Sequence, residues 1–267
     1  MQPGAYLLEL SLDWIVVRAS ENVHRLLGHS HVIVVDEPLG KFVHSEALHD
    51  LRNLFSRLSG TTGIARAYRI RLTDDPDLFD IAFQLSAGRV LLEAVPSPGD
   101  GLGQAFGSVG GLVAGLAHSS GQALLDAAAR RMRALTGYDR VTLDCGDRHA
   151  ESRRGALQTT LPADCPVPNI VADSGQQAVP VFPREADDSA LDSALLRAPP
   201  AQVLEKLRAA NIGSVLCIPF ALEDGSGAEF RCESRLPRQP GFELHAAAEL
   251  FAQLFAQRLE IDRLKDG

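Results

Sequence analysis

Basic clusters are missing from this chain. Its 26 lysines and arginines are outnumbered by 34 aspartates and glutamates, for a formal net charge of −8, and they are scattered along the sequence. A nucleic-acid groove needs cations dense enough to displace phosphate counterions, so no nucleic-acid partner is expected. The acidic balance serves solubility. Cysteine is also scarce. Cys145, Cys165, Cys217 and Cys232 form no CxxC pair and no zinc-ligand spacing, which excludes structural zinc and leaves reduced thiols, some buried as small hydrophobes. No apolar run is long enough to span a membrane, and no secretory signal opens the chain. The expectation is a soluble cytoplasmic protein with no membrane partner.

Catalytic signatures are equally absent. There is no GxSxG elbow for a serine nucleophile, no GxxxxGK[ST] phosphate loop, no HExxH zinc motif and no GxGxxG after a strand. Gly107-Ser108-Val109-Gly110-Gly111 lacks both the preceding strand and the lysine of a phosphate loop, so it reads as a helix start. His24, His29, His31, His44 and His49 follow no ligand spacing and read as surface histidines; Asp187, Asp188 and Asp192 read as a solvated loop. No nucleophile, base and oxyanion donor assemble, and no enzyme activity is expected.

What is present is enough apolar material for two cores. The 267 residues are 45% hydrophobic and 22% charged, ordinary globular values at a length that suits two domains. The runs 6–10 and 14–17 read as a hairpin, and 20–28 as a short helix capped by Ser20 and stopped by Gly28. Leu48, Leu51, Leu54, Phe55 and Leu58 put a helix over 45–58, and strands follow at 67–72, 79–85 and 89–95. Gly and Pro break the pattern at 97–103, which sets domains at 1–98 and 109–267 with a 99–108 linker. The second domain reads as one long helix from near Val109 to Leu135, strands at 140–143, 215–221 and 230–234, a long loop set at 162–200, and a C-terminal helix over 242–264. That last helix has two apolar stripes, Leu244-Ala248-Phe251-Phe255 and Leu250-Leu254-Ile261-Leu264. Two stripes exceed the need of one domain, so a partner copy is expected, with Phe251 and Phe255 at the contact. The class is α+β.

Ordered local motifs carry a resemblance. Gln2-Pro3-Gly4-Ala5-Tyr6-Leu7-Leu8, Arg18-Ala19-Ser20-Glu21-Asn22, Leu26-Leu27-Gly28, Pro38-Leu39-Gly40, Phe79-Asp80-Ile81 and 88–93 resemble the PAS domain of bacterial phytochromes. The runs 135–141 and 191–197, Leu207-Arg208, the strand 214–219 and Cys232 resemble the GAF domain of the same family. The resemblance implies a PAS domain followed by a GAF domain with long helices at the GAF edges. It further implies a GAF pocket for a linear tetrapyrrole, biliverdin in bacterial members, and contact between the modules without a full knot.

Such a pocket needs cations for two propionates and polar groups near the pyrrole nitrogens. By resemblance, Arg197 corresponds to a propionate-binding arginine, and the loop holding Asp164 and Pro166 corresponds to the family's pyrrole-side loop. Other positions depart from the family. Val203 and Glu233 stand for histidines, Lys206 and Asp144 for tyrosines, Val179 for the second arginine and Leu161 for an aromatic. Asp144, Glu233 and Asp164 bring carboxylates toward a dianionic ligand, which is costly. No bound cofactor is therefore expected. In its place stands a small, wet cavity in which Lys206, Arg197, Glu233 and Asp144 pair with one another. The implied function is a sensory input module that dimerises through GAF-edge helices and signals along 242–264 to an output domain such as a histidine kinase. A working biliverdin photoreceptor is the alternative.

Overall fold

The apolar runs at the start of the chain become strands β1 (Tyr6–Leu10) and β2 (Val16–Ser20) in a computed structural model, which describes residues 1–58, 63–98, 103–155, 157, 161, 167–185 and 188–266. They are followed by α1 (His24–Leu27), α2 (His31–Val34), α3 (Ser45–Phe55), β3 (Ala65–Ile70), β4 (Phe79–Ser86) and β5 (Arg89–Pro96). The rest supplies α4 (Gln104–Ala114), α5 (Gly121–Thr136), β6 (Arg140–Cys145), β7 (Arg148–Arg153), β8 (Ile170–Val171), β9 (Val181–Phe182), α6 (Ala201–Ala209), β10 (Ser214–Ala221), β11 (Gly227–Ser234) and α7 (Phe242–Asp266). Two compact units result. One is Met1–Pro98 with Gln176–Pro199 and Gln239–Phe242; the other is Gly99–Gly175 with Pro200–Arg238 and Glu243–Gly267.

The first unit is a sheet in the order β3-β4-β5-β1-β2-β9. One face carries Tyr6, Leu8, Trp14, Phe79 and Phe83 into a core closed by Leu51 of α3. Trp14 meets Phe55 and Phe83 edge-on at 6.0 and 6.2 Å, the geometry that the ring quadrupoles favour. Gly28 stops α1 with φ 71°, as the sequence indicates. Ser20 ends β2 and stands at the N-cap of a short 3-10 turn, Glu21–Val23, but its side chain makes no cap bond: its Oγ accepts a hydrogen bond from the Leu7 N–H at 3.0 Å instead.

The opposite face of this sheet is buried as well, although it carries Glu9, Arg18, Asp80, Gln84 and Glu93. The segment 176–199 lies against it. Val181 and Phe182 pair with Ser20 and Ala19. The Val179 N–H donates to the Met1 carbonyl at 2.8 Å, and the Gln2 N–H to the Leu196 carbonyl at 3.1 Å. Sequence reading keeps 176–199 with the second domain; these long-range bonds put it in the first unit.

The second unit is a sheet in the order β7-β6-β11-β10-β8. Phe230 on β11 packs against Phe251 and Phe255 of α7 at 6.0 and 5.5 Å, with Phe220 stacked on it at 5.4 Å. Phe251 and Phe255 are fully buried, so they serve their own core and not a partner contact. The other apolar stripe, with Leu250, Ile261 and Leu264, is exposed. The long helix expected from Val109 to Leu135 is two helices, α4 and α5. Its N-terminal ends are tied to α7, where Glu243 accepts from the Gly103 N–H and Asp262 from the Gly121 N–H, each at 2.7 Å. An acceptor there satisfies amides that have no partner within the helix. Because α4 begins at Gln104, the expected linker loses its last five residues to a helix.

Candidate functional site

Strand alternation sorts the second sheet into two faces. Phe230 looks toward α7, so its neighbours Glu229, Arg231 and Glu233 look the other way. Register extends that face across the sheet. Pro219, Cys217 and Val215 on β10 oppose Glu229, Arg231 and Glu233, which in turn oppose Asp144, Thr142 and Arg140 on β6. Beyond them on β7 stand His149, Glu151 and Arg153.

This surface has an apolar end and a charged end. At the β8 edge, Val171, Val215 and Cys217 join Val203 and Leu207 of α6, with Leu157 and Leu161, in one aliphatic cluster. Burial pushes the Cys217 thiol above its ordinary range and Cys232 up to about 12, so neither is a nucleophile near neutrality. Toward β7 the surface becomes a chain of ion pairs. Arg140, 4% exposed, stands 3.3 Å from Glu151 and 3.6 Å from Glu233, which is 3% exposed. Arg231 Nε donates to Glu229 at 3.0 Å, and His149 Nδ1 lies 2.6 Å from Asp144 Oδ1. Burial raises the Glu233 pKa; Arg140 and then Arg231 oppose the shift, and Glu151 adds to it. At 3.6 Å the Arg140 pair is beyond hydrogen-bond reach, which leaves burial dominant.

The sequence-selected residues fall into separate environments. Asp144 and Glu233 share this face. Val203 is buried in the aliphatic cluster, while Lys206, on the same helix, is exposed. Arg197 belongs to the first unit and pairs with Asp192. Asp164 and Pro166 lie outside the described residues. Of the residues expected to pair with one another, Asp144 pairs with His149 and Glu233 with Arg140 in the second unit, and Arg197 with Asp192 in the first. Sequence reasoning missed Arg140, Thr142, Glu229 and Arg231. The signal for them was there: polar residues at every second position of β6 and β11, between Val141, Leu143, Phe230 and Cys232. Among the described residues no three metal-ligating side chains gather. No described helix is long and apolar enough to cross a membrane.

No protein-family model matches the chain, and no curated protein matches it. Solved structures do. The chromophore-binding domain of an unusual bacteriophytochrome from R. palustris superposes with a TM-score of 0.80 at 21% identity, over 99% of this chain and 96% of that one. The chromophore-binding domain of Stigmatella aurantiaca phytochrome P1 gives 0.81 at 23%, over 97% and 95%. The photosensory core module of Stigmatella aurantiaca phytochrome gives 0.82 at 22%, over 98% of this chain and 58% of that longer one. At such identities the likeness establishes the fold. This chain has the α+β architecture of a phytochrome chromophore-binding domain, a PAS module followed by a GAF module.

Proposed function

We propose that the chain is the sensory input module of a bacteriophytochrome-like signalling protein in which bilin binding has been lost. The fold supports the sensory half of this reading. The self-neutralised charge on the second sheet carries the other half. A linear tetrapyrrole brings two propionates that need guanidinium partners, and it needs donors and flat walls around its rings. On the described face Arg140 is engaged with Glu151 and Glu233 and Arg231 with Glu229, while the exposed Arg153 at the β7 edge lies 3.8 Å from Glu151. Arg197 is engaged by Asp192. Taking Arg140 for a propionate would strand Glu233 beside the incoming anion, at several kcal/mol for a buried unpaired charge. Val203 and Lys206 provide neither a ring wall nor a pyrrole-side acceptor. The described residues do not fit the pigment.

Signal output in this reading runs along α7, which holds the N-terminal ends of both α4 and α5 and carries an unused apolar stripe. A homodimer through that stripe, coupled to a downstream domain such as a histidine kinase, completes the proposal. The test is spectroscopic. Purified protein is mixed with biliverdin, passed over a desalting column and scanned before and after red illumination. The expected result is a protein fraction without pigment and without a photoconvertible band. A retained red-absorbing band that changes under red light would overturn the proposal.

A further inference from the structure

We propose that a cavity at the C-terminal end of α5 is a binding site for a small organic phosphate, whose phosphate group is held between Arg133 and Arg154. The cavity, of about 480 Å³, lies wholly in the second unit and is lined by Arg133, Gly137, Tyr138, Asp139, Arg154 and Gly155. Local structure brings these residues together. Gly137, at φ 67°, stops α5 and turns the chain toward β6. Arg140 at the start of β6 pairs in register with Arg153 at the end of β7. Arg154 therefore returns beside Asp139 and donates its N–H to the Asp139 carbonyl at 2.6 Å. Arg133 lies one turn before the end of α5.

Both guanidinium groups are available. Arg133 donates from Nε to the Ser152 hydroxyl at 3.0 Å, which fixes the group. Its two terminal nitrogens have no hydrogen bond among the described residues, nor has any nitrogen of the Arg154 side chain. Neither residue pairs with a carboxylate among the described residues, unlike Arg140 and Arg231 in the same unit. A guanidinium held at Nε with both terminal nitrogens free presents the planar fork that takes two phosphate oxygens.

The surroundings make the cavity positive, although a helix C-terminus ordinarily repels anions. Arg238 lies 4.4 Å over the Tyr138 ring and donates to the Thr136 carbonyl at 3.2 Å and to the Gly137 carbonyl, covering the end of α5. The carboxylate on the lining, Asp139, accepts the Arg235 N–H on Oδ2 at 3.0 Å. Arg133, Arg154 and Arg238 against Asp139 leave two positive charges, the complement of a phosphate monoester dianion and one more than a carboxylate needs. The volume falls in the range of small-molecule sites. The small residues Ala134, Gly137 and Gly155 leave room for an organic group beside the phosphate.

NMR titration of the intact isotope-labelled chain with phenyl phosphate tests the site, with benzoate and sodium chloride run at matched ionic strength. Phenyl phosphate should shift the Gly137 and Gly155 amides saturably, and benzoate and chloride should not. Arg154→Gln should weaken the phenyl phosphate affinity about tenfold or more, the cost of one charge-assisted contact, and so should Arg133→Gln. Arg154 is exposed, so its variant keeps the fold and decides alone if Arg133→Gln does not fold. Shifts that rise without saturating, benzoate shifts that saturate equally, or an unchanged affinity in Arg154→Gln each overturn the proposal.

Discussion

Arg140 and Glu233 show how one pair of residues bears on both stability and ligand choice. Each is almost fully removed from water, and each is the other's counter-ion within the sheet surface. Arg140→Met leaves Glu233 buried with a charge facing no guanidinium on β6, while Glu151 can turn to solvent. Urea denaturation should show a loss of about 3 kcal/mol, the usual cost of breaking a buried pair from one side. Adding Glu233→Leu should restore most of that loss, because a nonpolar pair of similar size removes both desolvation penalties. A double variant less stable than the single one would mean that Glu233 is held by something other than Arg140. The sequence alone singled out Glu233 and Asp144 as departures from a pigment pocket, and the two share one face of the second sheet. Their partners were not legible, because Arg140 and His149 acquire meaning only through strand register.

At the level of elements, α7 separates two roles that its sequence pattern mixes. Phe251 and Phe255 fill the core against Phe230. Leu250, Leu254, Gln257, Ile261 and Leu264 recur at intervals of four and three, the spacing of a seam between two helices, and Leu264 is 75% exposed. Phe251→Ala should cost about 3–5 kcal/mol of stability, as other core phenylalanine truncations do, without changing the oligomeric state of the folded fraction. The triple change Leu250→Ser, Ile261→Ser and Leu264→Ser should leave stability nearly intact and move the sedimentation coefficient toward a monomer. A parent that already sediments as a monomer would remove the homodimer from the account. Elements with strong local patterns were legible from sequence: the β1–β2 hairpin, α3, β4, β5, β10 and α7. Those missed had weak local signals. In β7, Arg148-His149-Ala150-Glu151-Ser152-Arg153 has almost no apolar residue, as suits a charged edge strand. β8 and β9 are two residues long and exist only through pairing. The break between α4 and α5 falls in a Gly-Leu-Ala-His-Ser-Ser stretch that periodicity bridges.

Across the whole molecule, the main departure from the sequence reading is the course of 176–199. Its Pro- and Asp-rich composition marks a loop, but composition does not tell which core a loop serves. Arg18, Glu93 and the edge of β2 decide that, from more than a hundred residues away in sequence. The fold itself was legible because its motifs kept their order along the chain even where each motif was weak. The central claim concerns charge: on the described face of the second sheet the buried guanidinium of Arg140 and the guanidinium of Arg231 are matched by carboxylates of the same face, Glu151, Glu233 and Glu229, before any dianionic pigment arrives. Comparing biliverdin with its neutral dimethyl ester by equilibrium dialysis against the purified protein tests this most directly. If the account holds, the dianion is retained no better than the ester, and neither binds stoichiometrically. Stoichiometric retention of the dianion with rejection of the ester would show propionates held by free cations, and would contradict it.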